Sequence, residues 1–167
     1  MISYRIVTEE DAEAYLEFFR KVVSETDNLA CSPEDAEKMT VEDERDFIKA
    51  AAASGSVSVA AFDKDTILGS CDIRISARKR LRHRGEMGIA VRRECWGSEV
   101  AGRILSLALA EARKRGVRKI DLTVRSDNER AKAFYKKNGF GYAGSDRMLF
   151  CIDGEYADGE RYELILS

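Results

Sequence analysis

Proline is almost missing from this sequence: Pro33 is the only one among 167 residues. Glycine is moderate at 12, and the aromatic residues are spread along the whole chain. That composition excludes a low-complexity or disordered chain, and it lacks the sustained repeat of a coiled coil. Histidine is equally scarce, with His83 alone, and Cys31, Cys71, Cys95 and Cys151 form no CxxC pair. A zinc-finger pattern cannot be completed from that set, and no metal is expected. Cys71 and Cys151 lie in alternating apolar runs, where a reduced core cysteine is the simplest reading. No apolar run approaches the ~20 residues needed to span a bilayer, so no membrane role is expected. Acidic residues follow Met1-Ile2-Ser3-Tyr4-Arg5 at once, which is not the shape of a secretory signal, and a cytoplasmic protein is the expectation. Charge of one sign is also lacking. The 28 Lys and Arg residues face 30 Asp and Glu, a net charge of −2, and nucleic-acid-binding domains are usually strongly basic.

What remains is a chain long enough to bury about two-thirds of its surface in one core, with no linker or repeat. A single domain over residues 1–167 is expected. Short strands are expected at Ile2–Val7, Val57–Phe62, Ile67–Ile75, Glu86–Val91, Val117–Val124, Met148–Ile152 and Tyr162–Leu166, mostly on period-two alternation. Helical stripes begin after Thr8, at Thr40, at Ser98 and at Asp127 or Asn128. A polar connection, Glu25–Pro33, joins the first two. The helix after Ser98 ends at Arg113-Lys114-Arg115-Gly116, with cations over its negative end and glycine as the stop. A loop, Asp153–Gly159, separates the last two strands. The order β-α-α-β-β-β-α-β-α-β-β predicts an α/β (α+β) fold with a mixed, mostly antiparallel sheet of about seven strands and about four helices.

Arg78-Lys79-Arg80-Leu81-Arg82-His83-Arg84 falls between two strands and reads as a hairpin tip. It is either a solvated turn or a dock for an acidic partner, with His83 exposed. The stretch from Glu86 to Leu105 is strand, loop and helix start, which presents unpaired backbone N–H groups and a positive dipole end. Neither nucleotide motif, GxxxxGK[ST] or GxGxxG, occurs there.

Asn128-Glu129-Arg130-Ala131-Lys132-Ala133-Phe134-Tyr135-Lys136-Lys137-Asn138-Gly139-Phe140 carries the pattern Asn-x-x-Ala-x-x-Phe-Tyr-x-x-x-Gly-Phe. It resembles the C-terminal motif of the GNAT superfamily of acyl-CoA-dependent N-acetyltransferases. Upstream, Met87-Gly88-Ile89-Ala90-Val91 followed by Trp96-Gly97-Ser98-Glu99-Val100-Ala101 is similar to that family's central motif, and the element order matches over nearly the whole chain. The resemblance implies acetyl-CoA as co-substrate and a small-molecule or peptide amine as acceptor. Ile89, Ala90 and Val91 would pair with pantetheine. Trp96, Gly97, Ser98, Glu99, Val100, Ala101 and Gly102 would cradle the pyrophosphate. Asn128 would contact the cofactor, Tyr135 would protonate the departing thiolate, and Glu86 would act as base, usually through water. Homodimers are frequent in the family. Two positions depart from its pattern: Trp96 stands where Arg or Gln is usual, and Glu99 stands at the first glycine.

The chemistry suits those residue types. A lysine-like amine has a pKa of ~10.4, so neutralising it at pH 7 costs roughly 4.6 kcal/mol, and a nearby carboxylate can take the proton as attack occurs. A tyrosine hydroxyl can donate to the thiolate. Without the motif, Tyr135 reads equally as a core tyrosine, Glu86 as a surface residue of a half-buried strand and Asn128 as a helix cap. Phe134 and Phe140 read as core. Glu25, Thr26 and Asp27 in the first connection, and Tyr156 in the last loop, are the candidate acceptor contacts. Besides an N-acetyltransferase, two readings stay open: a non-catalytic acyl-CoA-binding module of the same fold, and an adaptor acting through the basic tip.

Overall fold

Alternation builds the sheet. In β3 (Thr66–Ile75), Cys71, Ile73 and Ile75 turn to one face and Ser70 and Asp72 to the other. The computed structural model describes all residues, Met1–Ser167. The other strands are β1 (Ser3–Ile6), β2 (Val57–Asp63), β4 (Arg84–Val91), β5 (Lys119–Arg125), β6 (Gly141–Ile152) and β7 (Glu155–Ile165). They form one seven-stranded sheet in the order β1-β2-β3-β4-β5-β7-β6. Only β4 and β5 run parallel; every other pair is antiparallel.

Helices α1 (Ala12–Glu25) and α3 (Val41–Ala53) cover one face, through Phe18, Val22, Ile48, Ala60, Phe62 and Ile67. Helices α4 (Val100–Lys114) and α5 (Glu129–Lys137) cover the other. There Ile104, Leu105, Ala108 and Ala112 meet Val59, Cys71, Ile73, Ile120 and Leu122 in a core of 22 buried residues. The seven expected strands are all present. Thr40 begins α3 with a capping box, accepting from the Asp43 amide while Asp43 accepts from its own.

The structure corrects five expectations. A fifth helix, α2 (Pro33–Lys38), follows the polar connection: Ser32 caps it, accepting from the Asp35 amide at 3.1 Å, and Pro33 suits its first turn. The last two strands are longer than expected. The loop Asp153–Gly159 is instead a tight turn at Asp153-Gly154, both with positive φ (51° and 82°), a dipeptide suited to such hairpins. Cys151 is exposed rather than core, because β6 is the sheet's edge strand. Finally, Glu99 rather than Ser98 occupies the cap position of α4, although the Ser98 hydroxyl still accepts from the Val100 amide at 3.3 Å.

Candidate functional site

The parallel pair β4–β5 is the origin of the site. Its register runs only through Arg84↔Lys119, Gly85↔Ile120 and Glu86↔Asp121. Beyond Glu86 the strands part, while β4 stays paired to β3 up to Val91↔Gly69. The edge of Met87–Val91 that faces β5 therefore has no strand partner. A cavity of about 1490 Å³ opens along it, lined by Gly88, Ile89, Ala90 and Val91 on one side and by Thr123, Val124 and Tyr135 on the other. Arg92 pins the end of β4: its amide donates to the Leu68 carbonyl at 2.8 Å and its Nε to that of Ile67 at 2.7 Å.

At one mouth the loop after β4 runs into α4. Gly97, at φ 77°, makes the turn. The backbone amides of Gly97, Glu99, Ala101 and Gly102 donate to no group of the protein. Four free donors at the positive end of a 15-residue helix form an anion-binding nest. Glu99 lines the cavity mouth together with Arg103. Its carboxylate pairs with Arg103 Nε at 3.3 Å and is largely exposed.

Trp96 folds back on the strand, its indole nitrogen donating to the Val91 carbonyl at 3.2 Å. The Arg130 guanidinium, from α5, lies 3.6 Å over its ring, and that of Arg93 lies 5.3 Å away. Arg130 was not singled out from sequence, because it occupies a variable position of the motif. Asn128 caps α5, its Oδ1 accepting from the Ala131 amide at 3.2 Å, and also lines the cavity, so both readings of it are compatible. Phe140 is core; Phe134 is half-buried and faces the cavity.

Tyr135 packs edge-on against Phe134 and beside Phe140 and Tyr162. Its hydroxyl has no hydrogen-bond partner, yet it is not sealed off: Tyr4 carries the only fully enclosed unpartnered side-chain polar atom. Burial pushes the Tyr135 phenol well up, so it stays protonated and can donate. Glu86 reaches the same gap from the opposite face. Gly85 and Met87 point toward α4, so Glu86 points away from it, and its carboxylate meets Arg74 at 3.1 Å. A donor and a carboxylate thus flank one opening from its two sides.

The acceptor candidates divide. Thr26 lines the cavity; Glu25, Asp27 and Tyr156 do not. Glu25 closes α1, and its carboxylate accepts from the Arg93 amide at 2.8 Å and pairs with Lys21 at 3.3 Å. Asp27 is exposed, and its carbonyl accepts from Arg125 at 3.3 Å. Tyr156 is 65% exposed on β7, because the tight turn moves it out of the expected loop. In their place stand Asn28 and Leu29 from the first connection and Asp146, Leu149 and Phe150 from β6. The β6 residues sit where its register to β7 is interrupted, between Asp146 and Phe150, which no sequence pattern announces.

The model of the acetyltransferase (GNAT) family matches residues 12–140. The chain belongs to the GNAT family. That match covers α1 to α5 and with them the whole β4–α5 cavity wall. Among solved structures, a GNAT acetyltransferase from Streptococcus pneumoniae is 26% identical with a TM-score of 0.93, covering 99% of this chain and 100% of that one. The acetyltransferase yncA from Salmonella typhimurium, solved with acetyl-CoA, shares 17% identity at a TM-score of 0.88, over 100% and 95% of the two chains. A phosphinothricin acetyltransferase from Sinorhizobium meliloti, in complex with acetyl-CoA, shares 17% at 0.84, over 99% and 88%. The last two show the fold alone. No curated protein sequence matches the chain. No helix of this GNAT protein is long and apolar enough to cross a membrane.

Proposed function

We propose that this protein transfers the acetyl group of acetyl-CoA to a primary amine by direct attack on the thioester, as a cytoplasmic enzyme without a metal. The observation that carries this reading is the unpaired edge of β4 ending in the nest of free amides, with the unpartnered Tyr135 hydroxyl and Glu86 on either side of the opening. The residues fit the co-substrate. The edge at Ile89, Ala90 and Val91 offers amide groups to a pantetheine chain. Trp96, Ser98 and Val100 hold the loop that leaves Gly97, Glu99, Ala101 and Gly102 free to donate to a pyrophosphate, and Asn128 has its amide nitrogen to offer from the facing helix. Acetyl-CoA supplies an acyl group already activated as a thioester.

The chain's own residues then move two protons. Glu86, directly or through a water, takes the proton that the amine loses as its nitrogen bonds to the acyl carbon. Tyr135 gives its proton to the sulfur as the carbon–sulfur bond breaks and takes one back from water, while Glu86 releases the amine's proton to water. Positioning by the rigid strand edge supplies much of the remaining acceleration.

A non-catalytic acyl-CoA module would keep the nest but has no use for an unpartnered tyrosine hydroxyl facing a carboxylate across the gap. Thiol release from acetyl-CoA across polyamines, amino acids, aminoglycosides and peptide N-termini tests the reading. Release that depends on an amine supports it; acetyl-CoA binding without release for every amine favours the module.

A further inference from the structure

A second, smaller cavity of about 410 Å³ lies on the sheet face opposite α4, beside Glu86. Glu86 and Thr123 line both cavities, so the two meet at the opening between β4 and β5. The smaller groove is charged. Its lining includes Arg84, Lys119 and Arg161, against Glu86, Asp121 and Glu163. Arg84 pairs with Asp121 at 2.8 Å, and Lys119 bridges Asp121 at 3.1 Å and Glu163 at 3.2 Å. The carboxylates of Asp121 and Glu163 are thereby engaged, and Glu86 is engaged by Arg74.

Arg161 differs. It has neither an ion pair nor a side-chain hydrogen bond, and so is the one cation lining the groove whose charge no carboxylate of the protein answers. It is nonetheless seated. Gly144 on β6 opposes it in the register, and a Cβ there would lie 2.7 Å from the Arg161 guanidinium. The missing side chain leaves room for the end of the guanidinium against β6. Arg161 also stands directly across from Thr123 on β5. Glu86 opposes Asp121, and Asp121 opposes Glu163, two residues from Arg161. With ~4.8 Å between strands and ~3.4 Å per residue, the Cα atoms of Glu86 and Arg161 are about 12 Å apart. Glu86 leans toward Arg74 on β3 and Arg161 toward Gly144 on β6, so the two charged ends lie at least that far apart and a ligand touching both is an extended one. The basic hairpin tip, Arg78–His83, rises from the rim at Arg84 and adds positive potential there.

We propose that the groove is the acceptor's entrance and that the acceptor is an amine that carries a carboxylate, with its amine at Glu86 and its carboxylate on the Arg161 fork. This rests on the acetyl-transfer reading and narrows its substrate class. A planar guanidinium is the natural partner of a carboxylate, and a preseated one loses little freedom on binding.

The experiment measures thiol release from acetyl-CoA with matched acceptors. One arm pairs 4-aminobutyrate and 5-aminopentanoate with butylamine and pentylamine. A second pairs short peptides with free N-termini whose second and third residues are acidic or neutral. Carboxylate-bearing members of at least one arm have a KM about ten-fold or more below their neutral partners, and the arm that responds says whether the acceptor is a small molecule or a peptide. Arg161→Ala raises that KM about ten-fold while leaving the KM for acetyl-CoA and for the neutral amines unchanged, and Arg161→Lys recovers part of the loss. Equal KM values for carboxylate-bearing and neutral acceptors, or an Arg161→Ala effect that is the same for both, overturn the proposal and leave acetyl transfer standing. Absence of thiol release with every amine overturns acetyl transfer itself and the proposal with it.

Discussion

The indole nitrogen of Trp96 donates to the carbonyl of Val91 at 3.2 Å, so the loop that feeds α4 is tied back to the last residue of the strand it leaves. Arg130 stacks on the other side of the same ring at 3.6 Å, which joins α5 to that loop. A single side chain thereby fixes the spacing between the free edge of β4 and the nest of amides.

Trp96→Phe keeps the ring under Arg130 and removes the hydrogen bond. A net loss of about 1 kcal/mol corresponds to roughly five-fold weaker acetyl-CoA binding. Calorimetric titration checks it. Because Trp96 is the only tryptophan, its fluorescence in the wild-type protein also changes when acetyl-CoA binds beside it. Unaltered affinity in the variant means that the loop keeps its place without this tie.

Tyr135→Phe lowers turnover by about 10²-fold, the range for one acid–base group. Its acetyl-CoA affinity and melting temperature change little, since the hydroxyl has no partner in the protein to lose. Turnover at the wild-type rate, with chemistry shown to be rate-limiting, removes Tyr135 from proton transfer.

Glu86→Gln slows the reaction most at neutral pH. The deficit shrinks as pH approaches ~10, where a lysine-like amine loses its proton to solvent unaided. A rate deficit that is constant up to that pH leaves Glu86 no role as base.

Much of this was legible beforehand because the relevant signals are local. The Asn128–Phe140 pattern and the strand–loop–helix after Glu86 are short contiguous stretches, and alternation located most of the strands, though not the full extent of β6 and β7. What was not legible depends on distant parts of the chain. The seat of Arg161 needs Gly144 from another strand, and the acceptor wall at Asp146–Phe150 comes from a register break. Glu25 reads as a free carboxylate until the structure brings the Arg93 amide to it. Tyr156 stands on β7 rather than in a loop for a local reason: Asp153-Gly154 alone makes the turn.

Glu99 was the residue most at odds with the family pattern. Its tie to Arg103 and its exposure limit its repulsion of a bound pyrophosphate. Two charges ~8 Å apart in a water-like medium repel by ~0.5 kcal/mol, a factor near two. Glu99→Gly therefore tightens acetyl-CoA binding by about two-fold at low salt and by nothing measurable at high salt. A gain of ten-fold or more, or weaker binding, contradicts this placement.

Under α1 and α3, Asp72 accepts from Tyr15 at 2.6 Å and from Ser58 at 2.5 Å, and Glu44 is buried nearby. Burial, then the Asp72 charge, pushes Glu44 up to about 7 from an ordinary value of 4.5. Because the folded state holds that proton more tightly, its stabilising effect is complete below about 4.5 and is lost as pH rises through 7. The loss across that window is of the order of 3 kcal/mol. Glu44→Gln accordingly raises the melting temperature by several degrees at pH 8 and hardly at all at pH 4.5. Equal shifts at both pH values contradict the assignment.

The most direct test of the central claim is intact-mass measurement of the protein and of the acceptor after mixing with acetyl-CoA bearing a labelled acetyl group. Direct attack predicts no label on the protein when the amine is omitted, and label on the amine with one thiol released per acetyl moved when it is present. Labelled protein that passes its acetyl group to a later-added amine, or an amine left unlabelled while thiol is released, contradicts it.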